Sequence, residues 1–113
     1  MDFNIAVLAG HLAAEPEIRT FPSGSTLIRY LVTVLSNAPR RRVDVIPVTL
    51  WDPSPEALDI GGARGKPIYV AGAVQRRFWS VDGGKSSRIE IVAHHVEIRD
   101  VAEFEGDEER VGA

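Results

Sequence analysis

The sequence contains no cysteine. Disulfides, cysteine-ligated zinc and thiol catalysis are thereby excluded, and a reducing, cytoplasmic setting is the expectation. No apolar run approaches the roughly 18 residues a membrane helix needs. Met1–Asp2–Phe3 has no basic stretch, and the apolar segment behind it breaks at Gly10–His11, which is not the pattern of a secretory signal. Histidine is scarce: His11, His94 and His95. The last two are adjacent in a predicted strand and would point to opposite faces, so they are not expected to chelate one metal as a pair. Gly83–Gly84–Lys85–Ser86 resembles the end of a phosphate-binding loop. Trp79, however, stands where the first glycine of that loop is required, and the segment joins two strands instead of opening a helix. No nucleophile has a neighbouring base. The expectation is a binding protein without metal or cofactor, and not an enzyme.

The 113 residues fit a single domain, and a chain this short gains from subunit association. Its 44% hydrophobic and 26% charged residues are ordinary for a globular protein. The net charge of −3 is unevenly spread. Residues 100–113 hold six acids and one base, whereas residues 1–99 hold twelve Lys/Arg against ten Asp/Glu, a net +2. The expected division is a folded, mildly basic domain over 1–99 and an acidic tail over 100–113, disordered beyond about Glu105.

Strand signals dominate. Phe3 to Leu12 reads as a first strand, with Ile18–Arg19–Thr20 continuing it beyond a bend that Gly10 could supply. Thr26 to Ser36 alternates Ile28, Tyr30, Val32 and Val34 on one face with Leu27, Arg29, Leu31, Thr33 and Leu35 on the other. Both faces are largely apolar, which predicts a core on one side and a partner subunit on the other. Val43 to Trp51 alternates again, and Pro47 within it demands a local edge or bulge. Pro53 to Ile60 is the one plausible helix, with Ser54 as N-cap and Pro55 at the first helical position. Ile68 to Trp79 and Ser87 to Ile98 form a hairpin about a Gly/Asp-rich turn. The order β–β–β–α–β–β predicts an all-β, five-stranded Greek-key OB-fold barrel with one short helix between strands 3 and 4.

The constellation that carries chemistry is aromatic and basic. Trp51 ends one strand; Arg76–Arg77–Phe78–Trp79 ends another. Single-strand binders need flat aromatic faces for unpaired bases and cations for phosphates. Arg40, Arg41 and Arg42 form a turn whose like charges repel and would be eased by an anionic partner. Arg19, Arg29 and Arg88 stand singly and have ordinary surface ion pairs as their plain reading. Both tryptophans also have a plain reading, as partly buried packing residues.

Together these segments resemble the bacterial single-stranded DNA-binding proteins. Asn4–Ile5–Ala6–Val7–Leu8–Ala9–Gly10–His11–Leu12 is similar to the family's first strand, and Glu15–Pro16–Glu17–Ile18–Arg19 with Phe21–Pro22–Ser23–Gly24 to the turns after it. Val48–Thr49–Leu50–Trp51, Gly65–Lys66–Pro67–Ile68–Tyr69–Val70–Ala71–Gly72 and Arg77–Phe78–Trp79 follow in the family's order. The resemblance implies a homo-oligomer, usually a tetramer, binding single-stranded DNA over Trp51, Trp79, Phe78, Arg29, Arg40, Arg41, Arg42, Arg76 and Arg77. It implies service in DNA replication, repair or recombination, with replication and repair proteins as further partners. Three departures stand out. Leu35–Ser36–Asn37 and Val43–Asp44–Val45 lack aromatics the family often has, the loop between them is short, and the tail lacks an acidic–apolar tip closing on Phe. These favour a second reading, an OB-fold protein–protein adaptor with weak DNA affinity.

Overall fold

The computed structural model describes residues 1–99. The segment 100–113, and with it the expectation of a disordered tail, lies outside the described residues. Six strands and one helix run in the order β1 (Ala6–Leu12), β2 (Glu17–Thr20), β3 (Thr26–Ser36), β4 (Arg42–Trp51), α1 (Pro55–Ile60), β5 (Pro67–Val81) and β6 (Gly84–Ile98). The sheet order is β1–β5–β6–β4–β3–β2, and an extra pairing of β1 with β3 at His11↔Thr33 and Leu12↔Val32 closes it into a barrel. A solvated antiparallel sheet edge invites foreign strands, and closure removes it.

Gly10 belongs to that closure. A Cβ there would stand 2.2 Å from the Thr33 carbonyl oxygen, so only glycine lets β1 lie this close to β3. The bend expected at Gly10 falls later, across Ala13–Pro16, after which β2 pairs with β3 in register Glu17↔Arg29 to Thr20↔Thr26. The predicted first strand is thus divided in two, which makes six strands from the five expected.

The period-2 pattern of β3 fills the barrel. Ile28, Tyr30 and Val32 are buried with Leu12, Val48, Ile68, Val70, Ile91 and Ala93, and Val34 packs against them. Pro47 sits opposite Leu31 of β3, while β6 pairs with β4 only at Val48 and Thr49. The missing N–H therefore falls where β4 has a free side. Ser54 caps α1 by accepting a hydrogen bond from the Ala57 N–H at 3.1 Å, and Pro55 opens the helix.

β5 and β6 outrun the barrel. From Ala73 to Val81, β5 is paired with β6 alone, ending in the two-residue turn Asp82–Gly83. The pair forms an arm. Asn4 grips its root through its side-chain amide: Nδ2 donates to the Val74 carbonyl at 2.7 Å and Oδ1 accepts from the Val74 N–H at 2.8 Å. A register shift lies between Ala71 and Gly72, where β6 carries His94 as an extra residue.

Candidate nucleic-acid interface

Strand alternation divides the arm into two faces. Gln75, Arg77 and Trp79 stand opposite Glu90, Arg88 and Ser86; Val74, Arg76 and Phe78 stand opposite Ile91, Ile89 and Ser87. The first face bends toward β2 and β3 and encloses a groove of about 220 Å³, lined by Arg19, Arg29, Arg77, Trp79, Arg88 and Glu90. Four arginines and one tryptophan thus line a single groove. The Arg88 guanidinium carbon lies 5.7 Å from the Trp79 ring centroid, a cation–π arrangement that holds both. Trp79 remains 39% exposed, which leaves ring surface for a second flat group.

The groove is under-neutralised. Arg19 is paired with Glu17 across an exposed pair of side chains. Its hydrogen bond and charge, with a smaller effect from Arg29, hold the Glu17 carboxyl below its ordinary value. Arg29 has its Nε buried without a hydrogen-bond partner among the described residues. Glu90 accepts a hydrogen bond from the Thr49 hydroxyl at 3.0 Å. Two carboxylates against four guanidiniums leave net positive charge in a confined space, which favours an anion.

Of the residues expected from sequence, Arg29, Arg77 and Trp79 meet here. Arg76 and Phe78 do not: they lie on the reverse face of the arm, where Arg76 donates to the Ser87 hydroxyl at 3.0 Å and Phe78 is 65% exposed. Arg40, Arg41 and Arg42 sit in or beside the β3–β4 turn, with Arg42 ion-paired to Asp44 at 3.0 Å. Trp51 ends the same strand that Arg42 begins, about 30 Å away at the usual rise per residue. It stacks on Phe21 with centroids 5.6 Å apart and planes at 25°, so one of its faces is already taken. It is 38% exposed and lines a separate cleft with α1 and with His94 and His95. The bulge at His94 brings these two histidines to one cleft, contrary to the opposite faces that regular alternation implies.

The family model described as the single-strand binding protein family matches residues 3–99. The chain belongs to this family. Single-stranded DNA-binding protein 1 of Nostoc sp. is 30% identical over 80 residues, covering 71% of this chain and 67% of that one. The single-stranded DNA-binding protein of Clostridium tetani is 30% identical over 98 residues, covering 82% and 68%. A Plasmodium falciparum SSB, solved in complex with ssDNA, matches with a TM-score of 0.75 at 19% identity over 88% of this chain and 97% of its own, a likeness of fold.

In this single-strand binding protein, Arg19, Arg88 and Glu90 are the groove residues that sequence reading left aside. Two were within reach. Counting outward from a two-residue Asp82–Gly83 turn sets Arg88 opposite Arg77 and Glu90 opposite Gln75. Arg19 was not, because it arrives through the β2–β3 pairing, which no short-range signal reports. No helix among the described residues is long and apolar enough to cross a membrane.

Proposed function

We propose that this protein binds single-stranded DNA with little overall dependence on sequence, as a binding protein and not a catalyst. The groove that Arg19, Arg29, Arg77 and Arg88 line together with Trp79 carries the reading. Bases stack on the exposed tryptophan surface while phosphates draw on the guanidiniums, the two contacts a strand of any sequence offers. Trp51, with one free face, extends the stacking surface along the barrel. Arg40, Arg41, Arg42, Arg76 and Phe78 lie outside the groove and act, if a long strand wraps the protein, as peripheral contacts.

The working form is a homo-oligomer, a tetramer in keeping with the family. Support comes from an apolar outer face. Leu31 and Leu35 of β3 are exposed beside Val43 and Val45 of the neighbouring β4, and Phe3, Ile5 and Val7 are exposed as well, more apolar surface than a monomer normally leaves wet. Protection of single strands during DNA replication, repair or recombination, in the cytoplasm, is the role such a particle serves. Titrating the tryptophan fluorescence with oligo(dT) at low and high salt tests the reading. Quenching that saturates and weakens steeply with salt supports it; no change at either salt favours the adaptor alternative.

A further inference from the structure

The reverse face of the arm takes no part in the groove, yet it carries the same kinds of side chain. Along β5 it presents Val74, Arg76, Phe78 and Ser80; opposite them on β6 stand Ile91, Ile89, Ser87 and Lys85. Phe78 is exposed, as are Val74 and Ile89 on the same face. A cation stands on either side of the Phe78 ring, each about 7 Å along the arm. Arg76 precedes it by two residues, and Lys85 lies opposite Ser80, two residues beyond. None of these eight positions is an acid. Arg76 donates to the Ser87 hydroxyl at 3.0 Å, a neutral partner that leaves its charge uncompensated. Packing this face against its counterpart on a second copy would bring like charges together, which opposes association. An exposed flat ring between two cations, with no acid beside it, complements a strand of stacked bases and phosphates.

We infer that the reverse face of the arm is a second track for single-stranded nucleic acid, with a base stacked on Phe78 and the neighbouring phosphates drawn to Arg76 and Lys85. The inference rests on the single-stranded DNA reading above and adds a separate site to it. Phe78 and Trp79 are consecutive in β5, so their rings lie on opposite sides of the ribbon and one base cannot touch both. A strand longer than the groove therefore passes over the arm and is held on both of its faces. The way between the faces is open. From Ala73 to Val81, β5 pairs with β6 alone, and Asn4 covers its outer edge at Val74 only. Because every base has a flat face and every linkage a phosphate, this track is as indifferent to sequence as the groove.

Strand length separates the two tracks. Oligo(dT) of about five nucleotides fills the groove alone, and oligo(dT) of about thirty reaches both faces. Phe78→Leu keeps the apolar bulk of an exposed side chain and removes the flat ring. It should weaken the long strand by about fivefold or more, the loss of one base stack, and leave the short strand as before. Trp79→Ala should weaken both. Arg76→Gln should flatten the salt dependence of the long strand by about 0.7 and not that of the short one. A long strand that binds Phe78→Leu as it binds the parent overturns the inference. So does an equal loss for short and long strands, which would make Phe78 a support of the groove. A fall in mass by light scattering for Phe78→Asp, with long-strand binding intact, would overturn it in favour of a contact between copies. Failure of the parent to bind either strand would instead sink the functional reading itself.

Discussion

The outer face of β3 changes character halfway along. Leu27 and Arg29 lie at the groove end, where Leu27 is buried opposite Trp51 and Arg29 reaches the arm. Leu31 and Leu35 lie at the other end, exposed among Val43 and Val45. One strand with one alternation thus serves two surfaces, a charged concave one and an apolar open one. The difference lies in what the rest of the chain folds over each half. The β5–β6 arm brings Arg77, Trp79 and Arg88 to the first, while nothing within the described chain covers the second. A cavity among cations suits a polyanion. An uncovered apolar strand face suits another copy of itself.

The largest expected effect comes from breaking the apolar half. Val45→Asp places a charge on that face in every subunit, and burying an unpaired charge costs several kcal/mol per ion. Light scattering at micromolar concentration should show the mass fall toward that of a monomer, while a short oligonucleotide filling one groove binds nearly as before. An unchanged mass would mean that the apolar half is not the subunit interface. The contrast sharpens further at the tryptophans. Trp79→Ala should weaken oligo(dT) binding by about 1–3 kcal/mol, and Trp51→Ala by an amount near the lower end, because Phe21 already covers one of its faces. If folded Trp79→Ala binds like the parent, the groove is not where bases stack.

Smaller effects separate the groove arginines from the rest. Arg77→Ala and Arg88→Ala should each flatten the slope of log affinity against log salt by about 0.7, the share of one phosphate contact on a single strand. Arg42→Ala should flatten it less, since Arg42 lies outside the groove and is paired with Asp44. Equal changes at all three would erase the distinction between groove and periphery. The smallest effect belongs to Glu17, whose carboxyl Arg19 holds below its ordinary value of 4.5. A lowered native value means that the pair stabilises the fold above that pH and ceases to do so as pH falls through it. Parent and Glu17→Gln should therefore differ slightly in denaturant midpoint near neutrality and converge in acid. A gap that survives in acid would assign Glu17 a role other than its charge.

Much of the fold was legible in the sequence because strands announce themselves locally. The alternation of Ile28, Tyr30 and Val32 marks the core side of β3 whatever it packs against, since one-residue slippage would turn all three outward. Pro47 and Asp82–Gly83 speak for themselves in the same way, through a missing donor and a tight turn. The candidate site was half legible. Trp79 and Arg77 were found as neighbours in sequence, but Arg76 and Phe78, equally near in sequence, fall on the wrong side of the same strand. The bulge at His94 was invisible, because an extra residue in a ladder leaves no mark in composition.

The sequence alone determined a barrel of short strands, an apolar second face that asks for a partner, and an aromatic–basic hairpin. Each of these follows from periodicity and side-chain chemistry over fewer than about a dozen residues. Only the tertiary structure decided which cations act together. Arg19 and Arg29 are separated from Arg77 and Arg88 by about fifty to seventy residues, and they share one groove because β1 closes onto β3 while the arm leans back over β2 and β3. The same closure set Glu90 among them. Coulombic repulsion and hydrogen-bond complementarity depend on distance in space, and that distance is a property of the closed barrel and not of the order of residues along the chain.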